Sequence, residues 1–185
     1  MKEKLLGKIF KIYKLPLLVS LTVFIVITAL AVLKEPLEIG VVFLGSLLGT
    51  FFLDLDYIIY AYFTDMSTDF SRTLRGFFKH NDYSNAVSYI YYNKDKVKEK
   101  TLQSILFQIV IGAFSIFMVF SPINYFAKAV VISVYVNSLY RLAERYAKHD
   151  TNDWFWMLKD KPSEKNVKIY LAVHVITFLV VIQFL

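Results

Sequence analysis

The sequence predicts an all-α polytopic membrane protein with about five transmembrane helices and a cytoplasmic N-terminus. Of its 185 residues, 57% are hydrophobic, and the mean hydropathy is +0.50. A soluble domain of this length could not bury so much apolar surface. The chain has no cysteine, which excludes disulfides and thiolate metal sites. The composition therefore favours a single domain, residues 1–185, that lies in a membrane.

Long apolar stretches support this class, because a transmembrane helix needs roughly 20 mostly apolar residues. Short turns at Lys34-Glu35-Pro36 and at Ser121-Pro122 join neighbouring stretches and predict helical hairpins, since proline is tolerated at a helix start. The five stretches that qualify are residues 15–33, 37–63, 102–120, 123–142 and 167–185.

The basic residues predict the orientation of these helices. Of the 21 Lys and Arg residues, only Lys34 and Lys128 fall outside one side of the predicted membrane. The positive-inside rule makes that side cytoplasmic, so residues 64–101 and 143–166 are predicted cytoplasmic loops of a multi-pass protein of the cell membrane. The basic pI of about 9.3 follows from these loops. No nucleic-acid-binding motif accompanies the charge, so membrane lipids are the predicted partners.

The N-terminal residues 1–14 place apolar side chains between lysines at helical spacing. This pattern predicts a basic interfacial helix on an anionic leaflet that leads into the first span. A plain basic flank that fixes the topology explains the same lysines, and the sequence leaves both interpretations open.

Two carboxylates, Asp54 and Asp56, interrupt the second apolar stretch. Each costs several kcal/mol in a membrane unless a cation, a partner or water compensates it. Two positions apart, they point roughly 200° apart on a regular helix. They could serve one site only if the helix is kinked there, or if one carboxylate contacts the ligand and the other only orients the groups around it.

Further polar groups follow on the same predicted side of the membrane. Arg72 and Arg75 are either topology determinants or a clamp for phosphate, which the planar guanidinium suits. A salt bridge from Arg72, Arg75 or Arg141 to the aspartates is the simpler alternative to a metal site. His174, alone in the last stretch, is predicted to be a hydrogen-bonded packing residue. The remaining candidate ligands are His80, Asp82, Glu144 and His149.

Residues 49–57, Gly-Thr-Phe-Phe-Leu-Asp-Leu-Asp-Tyr, resemble a motif of the membrane-bound metal-dependent hydrolases, which are inner-membrane proteins related to zinc-dependent phospholipase C. That motif is Gly-small-Leu-Leu-Pro-Asp-x-Asp followed by His or Tyr, and Leu53 stands where proline is usual. His80 matches the first histidine of the family's next motif, whereas Asn85 stands at its second. A third motif, His-x-x-x-Asp, has no match in residues 123–142. The resemblance covers about residues 40–90.

The resemblance implies a divalent metal ion, Zn²⁺, Mn²⁺ or Mg²⁺, bound by Asp54, Asp56 and His80. Asp82, Glu144 or His149 would complete the shell. The implied activity is hydrolysis of a lipid phosphoester at the cytoplasmic leaflet, with Asp54, Asp56, His80, Arg72 and Arg75 as catalytic residues. Because two family ligands are replaced, a non-catalytic membrane subunit or scaffold that docks a soluble partner at the loops is the alternative. A small transporter or channel is a further alternative, and both catalysis and oligomeric state stay open.

Overall fold

The structure is a computed structural model that describes the backbone of residues 2–185 and the side chains of residues 9–185. The described residues contain no strand, which confirms the all-α class. Their eight α-helices are α1 (Lys2–Leu30), α2 (Pro36–Phe52), α3 (Leu55–Ile59), α4 (Asp69–Lys79), α5 (Tyr83–Asn93), α6 (Ile105–Phe120), α7 (Tyr125–Ala147) and α8 (Glu164–Ile182).

Helix α1 joins the basic N-terminal segment to the first apolar stretch without interruption, and Pro16 lies inside it. The predicted interfacial arrangement of residues 1–14 depends on the side chains of residues 1–6, which lie outside the described residues. After a short turn, Pro36 occupies the first position of α2, where its missing N–H leaves no hydrogen bond unmade.

The second apolar stretch is broken rather than straight. Helix α2 ends at Phe52, Leu53 and Asp54 form a turn, and α3 continues into a π-helical turn, Tyr60–Thr64. The two segments, Pro36–Phe52 and Leu55–Thr64, meet at an angle of 47°. The sequence analysis required a kink here if Asp54 and Asp56 were to serve one site, and that kink is present.

The number of membrane spans is supported only in part. By length and composition, α1 (over Ile9–Leu30) and α8 could each cross a membrane, and the bent pair would be a third span. Helix α6 has 16 residues, fewer than a span usually needs. Helix α7 carries Lys128, Arg141, Glu144 and Arg145. Five spans and a cytoplasmic N-terminus stay predictions.

A helical hairpin fills most of the predicted loop of residues 64–101. Thr68 accepts a hydrogen bond from the Ser71 N–H and caps α4, while Asp82 accepts one from the Asn85 N–H and caps α5. Between the two helices Asn81 has a φ of 56°, a left-handed conformation that asparagine tolerates. The hairpin packs its apolar face under the broken second stretch.

Helix α7 is central and packs against α1, α2, α6 and α8. Its contact with α2 uses small residues: Gly45 lies against Ala129, and Gly49 lies against Ser133. A Cβ atom on Gly49 would meet the Ser133 side chain well inside van der Waals distance. Small residues at this spacing let two helix backbones approach closely, as in membrane helix pairs.

We expect Gly49→Ala to lower the melting temperature of the purified protein in detergent, because overpacking costs about 1–3 kcal/mol. Gly40→Ala in the same helix is the matched control, since nothing lies within 4 Å of the added methyl group. There the loss of glycine flexibility should stabilise the helix by about 0.5–1 kcal/mol. Equal shifts for the two variants would contradict the close α2–α7 contact.

Candidate functional site at the basic end of the helices

Asp54 is compensated by an arginine. Its Oδ1 lies 2.7 Å from Nη1 of Arg141 on α7, and the two side chains are only 15% and 14% exposed. The hydroxyl of Tyr13 on α1 donates a second hydrogen bond to the same carboxylate. The Asp54 carboxylate, in the break after α2, is therefore tied to both α1 and α7. The alternative prediction, neutralisation by Arg141, is confirmed for Asp54.

Asp56 has different partners. The carboxylate is buried and accepts hydrogen bonds of 2.8 Å each from the backbone N–H groups of Leu102 and Gln103, one on each oxygen. The Gln103 amide in turn donates to the Leu53 carbonyl. Asp56 thus fixes the segment that leads into α6. At the kink the two aspartates therefore bind different partners and do not form one site.

The other predicted metal ligands lie at helix ends and surfaces. His80 ends α4 with an exposed side chain, and Asp82 caps α5. His149 follows α7 with a φ of 54°, and its Nδ1 lies 2.7 Å from Oε1 of Glu164. Glu144 pairs with Lys148 at 2.6 Å. None of these contacts joins two of the predicted metal ligands.

Among the described residues, no three His, Asp or Glu side chains are grouped so that they could hold a metal ion. A ligand set of Asp54, Asp56 and His80 is not brought together, and Asp82, Glu144 and His149 do not complete one. The metal centre stays a prediction without geometric support in the described part of the chain.

The two arginines predicted as a phosphate clamp hold the backbone before α4. Arg75 donates from Nη2 to the Met66 carbonyl at 2.7 Å, and Arg72 donates from Nε to the Ser67 carbonyl at 3.0 Å. Arg72 also lies 3.5 Å from Asp69. Neither arginine lines the cavity described next, so the clamp prediction gains no support.

A cavity of about 520 Å³ opens at the basic end, between α1, α5, α7 and the break of the second stretch. Six Lys or Arg and four Asp or Glu side chains line it. The cations are Lys11, Lys14, Lys94, Arg141, Arg145 and Lys148, and the anions are Asp54, Asp95, Glu144 and Asp150. We call this space the basic cavity.

Arg145 lies in the cavity wall near two carboxylates. Its side chain is 14% exposed, and its Nη1 lies 3.6 Å from Asp150 and 3.8 Å from Asp153. These distances are too long for hydrogen bonds, and the buried Nη1 has no hydrogen-bond partner among the described residues. A guanidinium in a cavity wall with an unused donor is suited to an incoming oxyanion.

Lys100 lies beside the same wall. The residue is 2% exposed, and its ammonium has no hydrogen-bond partner among the described residues. Its Nζ lies 5.5 Å from the ring centre of Tyr57, which lines the cavity. Burial and the nearby Arg145 lower the pKa of Lys100 to about 8, although Asp153, Asp95 and Asp56 act in the opposite direction. The group is therefore still mainly charged at pH 7.

A buried polar stripe continues from the Arg141 ion pair into the helices. One turn further along α7, Asn137 donates to Ser20 on α1 at 2.8 Å, and Thr50 on α2 donates to the same hydroxyl at 2.7 Å. Ser133 then donates to the Ser46 carbonyl. The stripe ends against apolar side chains. These are Val23, Ile27, Val42, Ala129 and Ile132.

His174 on α8 forms the hydrogen bond that the sequence predicted for a packing histidine. Its Nδ1 lies 2.8 Å from the hydroxyl of Tyr135 on α7, and its ring contacts Tyr170. The imidazole thus links α7 to α8 and takes no part in the basic cavity.

No family model, curated protein or solved structure matches this chain. The resemblance to the membrane-bound metal-dependent hydrolases therefore rests on residues 49–57 and His80 alone, and it stays a prediction.

Neither Arg145 nor Lys100 was assigned a role in the predicted site. Arg145 stands four residues after Arg141, so the helical spacing indicated that both share one face of α7. Lys100 carried no such signal, because it belongs to a run of alternating charges over residues 94–100 and only its burial distinguishes it.

We expect Asp54→Leu and Arg141→Met each to lower the free energy of unfolding by about 3 kcal/mol, because each leaves a buried charge unpaired. The double variant should lose much less than the sum of the two. The exposed pair Glu144 and Lys148, changed to Gln singly and together, is the control and should couple by under about 1 kcal/mol. Chemical or thermal unfolding in detergent measures both cycles. Strictly additive losses at Asp54 and Arg141 would show that another cation compensates the aspartate.

Proposed function

We propose that this chain is a multi-pass protein of the cell membrane that binds a phosphate-bearing anionic ligand in its basic cavity. In this proposal five helical segments cross the bilayer, with the N-terminus and the basic cavity on the cytoplasmic side. The separation of the basic residues supports the orientation. The headgroup of an anionic lipid and a soluble phosphate compound share the chemistry that the cavity suits.

The observation that carries the proposal is the buried Arg145 donor without a hydrogen-bond partner among the described residues. Asp150 and Asp153 meet Arg145 only at 3.6 and 3.8 Å, so a bound oxyanion would supply the hydrogen bonds that these carboxylates do not. Arginine binds phosphate through two parallel N–H donors, which gives both energy and orientation. Lys11 and Lys14, exposed on α1 at the mouth of the same cavity, add positive charge.

The position of the cavity favours a ligand at the level of lipid headgroups. Its α1 wall, residues 11–16, is the basic flank just before the apolar part of the helix. Lysines at such flanks extend toward the headgroups while their stems stay in apolar surroundings. A lipid could present its phosphate here without leaving the leaflet.

Binding, rather than metal-assisted hydrolysis, is the activity that the contacts favour. A metal ion bound by Asp54 and Asp56 would displace Arg141 from one carboxylate and two backbone N–H groups from the other. Each displaced group would then be a buried donor without a partner. The proposed ligand requires none of these changes.

The topology is tested with single cysteines, because the chain has none of its own. We expect cysteines at Thr73 and Lys159 to react with a membrane-impermeant maleimide from the cytoplasmic side only. A cysteine at Glu35 should react from the opposite side only. All three native side chains are exposed. Labelling of Glu35→Cys and Thr73→Cys from the same side of sealed vesicles would contradict the proposed topology.

The ligand is tested with a charge-removal variant. We expect Lys11→Gln/Lys14→Gln/Arg145→Gln to weaken binding of phosphatidylglycerol at least tenfold, because three of the six cavity cations are lost. Native mass spectrometry of the detergent-solubilised protein measures the bound lipid, and inorganic phosphate is titrated in parallel. A response to inorganic phosphate as strong as the response to lipid would identify a soluble ligand.

The matched control removes the same charge elsewhere. Lys159→Gln/Lys165→Gln/Lys168→Gln changes three exposed lysines outside the cavity and should leave lipid binding within twofold. Equal losses in the two triple variants would overturn the proposed site. A rise in melting temperature with Zn²⁺ or Mn²⁺ that is lost in Asp56→Ala would favour the predicted metal centre instead.

A further inference from the structure

The lining of the basic cavity includes apolar side chains as well as charged ones. Ile12 and Leu15 on α1 and Ile90 and Tyr91 on α5 belong to it. Leu15 is 56% exposed and Tyr91 is 41% exposed, so this part of the lining is reachable from outside the protein. A small hydrophilic anion would gain little from these side chains, whereas an amphiphile would bury apolar surface against them.

One face of α1 continues this apolar lining beyond the cavity. Lys11, Leu15, Leu18 and Ile25 follow one another at intervals of four, three and seven residues, which places them on one face of a helix. Lys11 and Leu15 line the cavity, and Leu18 and Ile25 beyond it are 50% and 56% exposed. Thr22, on the same face, donates its hydroxyl to the Leu18 carbonyl. The face therefore changes from cationic to aliphatic along the helix axis, in the order of a headgroup and an acyl chain.

The length of this face matches the depth of one leaflet. Leu15 and Ile25 are ten residues apart, which is about 15 Å along an α-helix at ~1.5 Å per residue. The hydrocarbon core of a bilayer is about 30 Å thick, and each leaflet contributes half of that depth. In the proposed membrane arrangement, an acyl chain that starts at the cavity would extend along α1 to the middle of the bilayer.

We infer that the basic cavity opens toward the bilayer between α1 and α5 and binds an anionic glycerophospholipid, with an acyl chain along the face of Leu15, Leu18 and Ile25. This inference rests on the proposed function and narrows its ligand from a phosphate-bearing anion to a lipid. Other helices also expose aliphatic side chains, but on α1 such a face begins inside a cavity lined by cations. A soluble phosphate compound would use the cations and leave the aliphatic face unused.

Photolabelling locates the acyl chain. The full-length protein in phosphatidylcholine nanodiscs receives a small fraction of phosphatidylglycerol that carries a diazirine in the middle of one acyl chain, and mass spectrometry maps the labelled peptides. We expect this probe to label residues 15–25 at least fivefold more than the same diazirine on phosphatidylcholine does, because the cations retain the anionic headgroup. Residues 173–180 of α8, which also expose aliphatic side chains, should be labelled equally by the two probes.

Two pairs of substitutions test the α1 face itself. Leu15→Ser/Leu18→Ser should weaken binding of phosphatidylglycerol about fivefold, because less apolar surface is buried against the chain. Val173→Ser/Ile176→Ser removes two exposed aliphatic side chains from α8 and is the matched control, which should change binding less than twofold. Native mass spectrometry in detergent measures both, and equal losses would overturn the inference. The labelling of the wild type requires no variant, so it decides the question even if Leu15→Ser/Leu18→Ser does not fold.

Glycerophosphoglycerol separates a lipid from a soluble ligand, because it is the headgroup of phosphatidylglycerol without acyl chains. We expect it to bind at least tenfold more weakly than the lipid at equal total concentration in the same detergent, since it buries no acyl chain. Binding as tight as that of the lipid would overturn the inference and identify the soluble alternative within the proposed function.

The remaining outcomes separate the inference from the proposed function. Labelling of residues 15–25 that is the same with both probes overturns the inference. The proposed function still stands in that case if the charge-removal variant of Lys11, Lys14 and Arg145 loses phosphatidylglycerol. Failure of the wild type to bind phosphatidylglycerol, glycerophosphoglycerol or inorganic phosphate overturns both.

Discussion

The ion pair between Asp54 and Arg141 is the interaction on which the basic end of this protein depends. It joins the break after α2 to α7, and Tyr13 brings α1 to the same carboxylate. A lone carboxylate or a lone guanidinium in this position would be strongly unfavourable, whereas the pair is tolerated. The basic cavity lies between the helices that this pair joins. The ion pair therefore also fixes the distance between the walls of the cavity.

The break in the second apolar stretch gives two aspartates two structural roles. Asp54 faces α7 and α1, while Asp56 turns toward the segment before α6. The same Asp-x-Asp spacing in the resembled family implies metal ligands. Here the neighbouring side chains and backbone groups already supply the donors that a carboxylate needs. Sequence motif and fold therefore do not by themselves assign a function, which depends on what surrounds each oxygen atom.

Much of the helical framework could be predicted, because it follows from apolar stretches and their short connections. Pro36 marked the start of α2, and His174 was expected to be a packing residue with a hydrogen bond. The charges in the second apolar stretch were also recognised as requiring a partner, and Arg141 was among the partners considered. Each of these features is set by residues close in sequence or by a single large energetic cost.

The partners of the site were less predictable because they depend on contacts distant in sequence. Asp56 accepts hydrogen bonds from backbone N–H groups 46 and 47 residues later in the chain. No pattern of side chains in a sequence predicts which backbone N–H groups will be donors. Lys100 differs from the lysines around it only by burial. Helix α4, the first helix of the hairpin, was missed because its cap residue, Thr68, was assigned to a loop.

The polar stripe of Asn137, Ser20, Thr50 and Ser133 also has an end, and that end bears on the electrical integrity of a bilayer. Beyond it the helices pack through the aliphatic cluster that contains Val23, Ile27 and Val42. An ion that followed the hydroxyl groups inward would have to shed its remaining hydration at that cluster, at a cost of many times the thermal energy. In the proposed membrane arrangement, this closed end would leave ions no continuous polar path between the helices.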